Sequence, residues 1–175
     1  ELFVLNNIIA ELTTSIDDYF SNRSFDHSPN NLYEPINYIM SSGGKRIRSV
    51  MTLLGFYGYS DDYSKAHSLA YATELFHNFT LVHDDIMDEA PLRRGKPTVH
   101  SKYDENSAIL SGDVMHAHVF KILSDLKSPS ALDIVRRFSE TAILVCEGQS
   151  YDMAFEDKEE VGMEEYLDMI EKKTA

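Results

Sequence analysis

The sequence has 175 residues, 43% of them hydrophobic and 26% charged, enough for one globular domain with a real core. A net charge of −13 argues against a nucleic-acid partner, which needs a basic surface, but leaves room for a phosphorylated small molecule held by a local basic cluster. A lone cysteine, Cys146, excludes an internal disulfide and fits a reducing, cytoplasmic setting, and no apolar run approaches the roughly 20 residues of a membrane span.

Helical periodicity dominates the chain. Leu2, Leu5, Ile8, Ile9 and Leu12 make a first amphipathic stripe in an acidic start that is no signal peptide. SFDHSPNN is a loop in which Asn31 is expected to cap a second helix carrying Ile36, Ile39 and Met40 and ending near SSGG. A third helix is expected from Lys45 to Tyr57. GYSD breaks it, and Ser60 is the expected N-cap of a long helix from Asp61 to Asp88. Pro91 and Gly95 mark a loop, and helices at 105–126, 129–153 and 162–175 follow. Cys146, within AILVCEG, is expected to be a small buried residue. With no alternating stretch, repeat or linker, residues 1–175 read as a single all-α unit. The last helix, MEEYLDMIEKKTA, ends without a capping glycine or proline, so the chain is expected to continue.

The stretch LVHDDIMDEAPLRRG concentrates chemistry. Asp84 and Asp88 are i, i+4 on one helix face, with Asp85 about 100° round. Mutual repulsion and the negative end of the helix dipole both disfavour that placement. Either the carboxylates form a solvated acidic helix end, or an external cation neutralises them; Mg2+ is the natural candidate, being hard, oxygen-seeking and content with one or two carboxylates plus waters and phosphate. An EF-hand is excluded, because its glycine and terminal glutamate are absent. Arg93 and Arg94 follow, able to balance the aspartates or to fork onto phosphate. In SSGGKRIRS, two glycines precede Lys45 and Arg48, which as i, i+3 residues would share a helix face, while Arg46 would point elsewhere. The spacing is not that of a Walker loop. His77 lies two turns before Asp84 on the same face, as a packed core residue or a ligand. His83, His100, His116 and His118 read as structural, and no zinc or nucleophile signature is present.

Taken together, GGKRIR, DDIMD followed by RRG, GKPTVH, SGD, GQSYD and KKTA occur in an order that resembles the trans-isoprenyl diphosphate synthase family, most like a short-chain geranylgeranyl diphosphate synthase. The resemblance implies an all-α isoprenoid-synthase-type bundle around a deep central pocket, acting as a homodimer. It implies Mg2+-dependent condensation of isopentenyl diphosphate with an allylic diphosphate. By that likeness Asp84, Asp85 and Asp88 hold the metal. Arg93, Lys173 and Thr174 contact the allylic diphosphate, with Gln149 and Asp152 as supporting polar residues. Lys45, Arg48, His77 and Arg94 bind isopentenyl diphosphate. Phe76, Phe79 and Leu81 are expected to help line an apolar pocket. For product length, ideal helix geometry selects Thr80, one turn before Asp84, as the wall residue; the resemblance selects Phe79 and a C20 product, with C15 as runner-up.

The family's second aspartate-rich motif is not in the sequence, and Asp152, Glu156 and Asp157 do not match it. The expectation is therefore of a truncated chain that by itself binds metal poorly. Three rivals are weaker. A noncatalytic partner subunit would normally lose the aspartates or RRG. A terpene cyclase has no use for Lys45, Arg48 and Arg94. A merely structural acidic protein leaves the ordered motifs unexplained.

Overall fold

A computed structural model describes residues 2–174, with side chains from Leu5 onward, so the expected stripe residue Leu2 and the terminal Ala175 have no described side chain. The chain divides into two compact units between Leu126 and Lys127.

In the first unit α1 (Leu2–Ser21) is followed by α2 (Asn30–Ser41), α3 (Ile47–Tyr57), α4 (His67–Met87), a two-stranded hairpin of β1 (Leu92–Arg93) and β2 (Lys96–Pro97), a single-turn α5 (Val99–Lys102) and α6 (Glu105–Ser124). The apolar periodicity of each long helix supplies one core. Leu12 and Ile16 of α1, Ile36 of α2, Leu53 of α3, Leu75 and Val82 of α4, and Met115, Val119 and Leu123 of α6 are all buried. Each such side chain contributes about 1.5–3 kcal/mol by leaving water. Helix α4 packs along α6 and against α3, which makes α4 the spine on which the polar residues of interest are mounted.

Three boundaries differ from the sequence expectation, each for a local reason. Asn31 lies inside the first turn of α2, and Pro29 occupies the N-cap position with extended backbone. Helix α3 starts at Ile47, because Arg46 adopts a left-handed conformation with φ 50°. The helix expected from Asp61 starts at His67, after a 3₁₀ turn at Tyr63–Ala66. There Ser60 Oγ accepts from the Asp62 N–H at 3.3 Å and Ser64 Oγ donates to Asp62 at 2.5 Å, local bonds that compete with the helical ladder. Helix α6 starts at the expected Glu105, capped by Asp104, which accepts from the Ser107 N–H at 2.8 Å.

In the second unit α7 (Ala131–Glu156) pairs with α8 (Met163–Lys173). Glu165 accepts from the Gly162 N–H at 3.2 Å and fixes the start of α8. The helices meet at Gly148, where an added Cβ would stand 2.8 Å from Lys173 Cα, so a side chain there would force the backbones apart. Within this unit α8 covers the Gly148 face of α7. Cys146 lies off that face and is exposed, not buried as expected.

Candidate functional site

The end of α4 explains how the aspartates are placed. The Glu89 N–H bonds to Ile86 O at 3.1 Å and the Ala90 N–H to Asp85 O at 2.9 Å, a Schellman closure with Glu89 in the left-handed position usually given to glycine. Asp84 and Asp85 thus sit in the final turn and Asp88 at the C-cap. The three carboxylates have different fates. Asp88 is exposed, Asp84 half-buried, and Asp85 only 1% exposed. Asp85 Oδ1 accepts from Arg93 Nε at 2.8 Å and lies 2.7 Å from Nη2, while Asp84 Oδ2 is 3.5 Å from that same Nη2. This ion pair, first of all the hydrogen bond to Asp85, pushes the Arg93 pKa up. It also offsets the unfavourable helix dipole.

The hairpin delivers the arginines. Leu92 pairs with Pro97 and Arg93 with Lys96, leaving Arg94 and Gly95 as a two-residue turn with φ of 54° and 76°. Positive φ at both turn positions matches the twist of a tight hairpin, and Gly95 meets it without strain. Alternation along the strand sends Arg93 to the aspartates while Arg94, at the tip, donates through Nη1 to the carbonyl of Gly43. A Cβ on Gly44, whose φ is 151°, would stand 2.6 Å from Arg94 Nη1, so glycine permits this approach. The two basic elements are thereby joined.

Lys45 and Arg48 are both exposed. They are not the helical i, i+3 pair expected, since the helix begins after Lys45. Arg48 Nη1 lies 3.4 Å from His77 Nε2. Burial and then the fields of Arg48, Arg94 and Arg93 push His77 down to about 4, so its imidazole is neutral at pH 7. The unfolded chain takes up this proton near pH 6.5, whereas the folded one resists until about pH 4. Between those values the unfolded state binds more protons, so this contribution to stability is complete above 6.5 and is lost as pH falls toward 4. Replacing His77 by Gln is expected to flatten the acid limb of a denaturation-midpoint curve over that window; an unchanged limb would contradict the depressed value.

Among the described residues no group of three or more His, Cys, Asp or Glu side chains is arranged to hold a metal. What α4 offers is two carboxylates, Asp84 and Asp88, at an open helix end. That donor set fits Mg2+, which takes one or two carboxylates and completes its octahedron with waters and phosphate oxygens. Asp85, expected as a third ligand, is committed to Arg93. In the second unit Lys173 Nζ meets Asp152 Oδ2 at 2.5 Å, with Gln149 half-buried on α7 and Thr174 exposed just beyond α8.

Phe79 and Thr80 separate clearly. Thr80 Oγ1 donates back to His77 O at 2.8 Å. The Phe79 ring stacks on His116 at 4.8 Å and 9°, meets His83 edge-on at 4.8 Å, and lies 5.7 Å from Phe76. His83 and His116, read from sequence as merely structural, pack directly on the aromatic residue proposed to set product length. The hairpin, the Arg93–Asp85 pair and the burial of Arg46 were missed; RRG between a helix end and GKP was the available signal for the first.

The chain matches the polyprenyl synthetase family over residues 29–175. Similar proteins include the geranylgeranyl pyrophosphate synthase of Geoglobus acetivorans, 42% identical over 175 residues, covering 98% of this chain and 54% of that protein. The geranylfarnesyl diphosphate synthase of Natronomonas pharaonis is 35% identical over 189 residues, covering 98% and 55%. The solved geranylgeranyl pyrophosphate synthetase from the archaeon Geoglobus acetivorans matches with a TM-score of 0.91 at 41% identity, over 95% of this chain and 55% of that one. The chain spans about half the length of the curated relatives it matches.

Proposed function

The chain belongs to the polyprenyl synthetase family, and on that footing we propose that its protein is a Mg2+-dependent prenyltransferase that joins isopentenyl diphosphate to an allylic diphosphate and releases a C20 product. The observation that carries this reading is the junction of Arg94 with Gly43, which brings the two basic elements together beside the aspartate-bearing end of α4. A homodimer in the cytoplasm follows from the family likeness. Among the described residues no helix is long and apolar enough to cross a membrane.

Cleavage of the allylic C–O bond puts negative charge on the departing diphosphate. Arg93 supplies a fixed donor to that charge, and a preplaced donor stabilises the transition state more than the ground state; Lys173 and Thr174 take their role toward the same diphosphate from the family likeness alone. Mg2+, held by Asp84 and Asp88, would add Lewis-acid stabilisation of the same oxygens. Gln149 and Asp152 orient the allylic group, Asp152 through Lys173. Lys45, Arg48 and Arg94 bind the diphosphate of isopentenyl diphosphate, and neutral His77 contributes an N–H donor there. The carbocation left behind is attacked by the isopentenyl double bond, forming the new C–C bond, and the adduct cation then loses a proton to the released diphosphate to give the product double bond, while Phe76, Phe79 and Leu81 exclude water. No protein nucleophile is needed. A C15 product, or a noncatalytic partner subunit, is the alternative; the presence of both aspartates and of Arg93 and Arg94 favours catalysis.

The test is incubation of the full-length protein with labelled isopentenyl diphosphate, Mg2+ and each allylic primer in turn. The reading predicts a C20 product, and products longer than C20 from Phe79→Ala. No incorporation with any primer would overturn it, and an unaltered product from Phe79→Ala would remove Phe79 from the length-setting role.

A further inference from the structure

Arg46 stands between two residues assigned to isopentenyl diphosphate, yet it is buried, at 8% exposure. Its backbone is left-handed at φ 50°, a conformation that disfavours a residue with a Cβ and persists where surrounding contacts over-determine it. Those contacts are present. Nη1 lies 3.5 Å from Glu74 Oε1, Nη2 donates to Met40 O at 3.0 Å, Nε lies 3.6 Å from Asp17 Oδ1, and the guanidinium covers the Phe20 ring at 4.8 Å. The side chain forms part of the wall of a cavity of about 590 Å³ that neither Lys45, Arg48, His77 nor Arg94 lines. Arg46 therefore faces away from the anion-binding residues on both sides of it.

Glu74, 3% exposed on α4, is the other half of the device. Its Oε2 accepts from Ser49 Oγ at 3.3 Å, and Ser49 Oγ also lies within donating distance of Ala70 O, at 2.9 Å. The first hydrogen bond of α3 runs from the Val50 N–H to Arg46 O at 2.9 Å. One carboxylate thus ties the left-handed residue and the first turn of α3 to α4. His77 is one turn further along α4 from Glu74, and Arg48, two residues past Arg46, meets it.

Resting on the function proposed above, we propose that Arg46 and Glu74 are positioning residues: a buried ion pair that locks the Lys45–Arg48 segment in its left-handed turn and registers Arg48 against His77, thereby setting affinity for isopentenyl diphosphate and not for the allylic substrate. Neither residue touches substrate. A buried pair exchanged for apolar residues of similar volume usually leaves stability little changed, whereas loss of one partner does not. The informative variant is therefore Arg46→Met/Glu74→Met in the full-length protein.

Its KM for isopentenyl diphosphate is expected to rise by at least about 10-fold, the usual cost of removing an outer support, with the allylic KM within about twofold of the parent. Arg46→Lys, which keeps the charge but not the fork, is expected to recover part of the loss. If the double variant does not fold, Arg46→Lys and Glu74→Gln carry the same test with smaller rises. The parallel binding readout is the melting-temperature shift induced by isopentenyl diphosphate alone; half-maximal shift should need about 10-fold more ligand in the double variant. A folded variant with parental KM and parental ligand response, or one in which both KM values rise together, overturns the proposal. A parent protein that shows neither turnover nor a shift with isopentenyl diphosphate overturns the function proposed above, and the assignment of Arg46 and Glu74 with it.

Discussion

Asp84→Ala in the full-length protein is expected to lower kcat for prenyl transfer by about 10²–10³-fold or more while leaving the fold intact, the scale seen when one preplaced stabiliser of transition-state charge is removed. The stability side of this expectation separates it from a structural role. Asp84 sits in the last turn of α4, where the helix dipole opposes an anion, and it is i, i+4 to Asp88, where like charges repel. Its interaction with Arg93 is the longer of that arginine's two carboxylate contacts, at 3.5 Å against 2.7 Å. Truncation should therefore change the melting temperature little, in either direction. Steady-state kinetics alongside thermal denaturation checks both halves, and near-normal turnover would remove Asp84 from the reaction.

Arg93→Ala should be the most destabilising single change at this site. Asp85 is 1% exposed, its Oδ1 is held by two nitrogens of Arg93, and its Oδ2 has no hydrogen-bond partner among the described residues. Removing the guanidinium strands a buried carboxylate, which costs about 3–5 kcal/mol for a fully enclosed pair. Because the Arg93 side chain is 28% exposed, the lower end, about 3 kcal/mol, is expected. Adding Asp85→Asn to Arg93→Ala should restore part of that stability by removing the stranded charge, without restoring activity. Urea denaturation of the two single variants and the double variant reads the coupling directly; additive effects would show that the pair is not coupled.

Much of this was legible in the sequence because helices announce themselves by period. Leu12, Ile36 and Ile39 fall on the apolar stripes read from the sequence and are buried in the core, whereas Leu5 and Ile9 of the first stripe are exposed. The aspartate cluster, RRG and GGKRIR were visible as charges that stability alone does not explain. What could not be read depended on backbone departures shorter than a period. Each hairpin strand has two residues, too few to alternate. The i, i+3 arithmetic for Lys45 and Arg48 assumed a regular helix that the left-handed Arg46 postpones. Asp85 and Arg93 are eight apart and meet only because a Schellman closure and a tight turn fold the chain back. The exposure of Cys146 depends on which face α8 covers, and an apolar neighbourhood in sequence does not specify that.

The central claim is that a divalent cation links Asp84 and Asp88 to a diphosphate. Its most direct measurement is Mn2+ binding, in place of Mg2+, to the full-length protein by electron paramagnetic resonance, with and without inorganic pyrophosphate. Because such coupling is reciprocal, pyrophosphate should tighten Mn2+ binding in the parent, and Asp84→Ala should abolish the enhancement. Equal Mn2+ affinity in parent and variant, unmoved by pyrophosphate, would contradict the account.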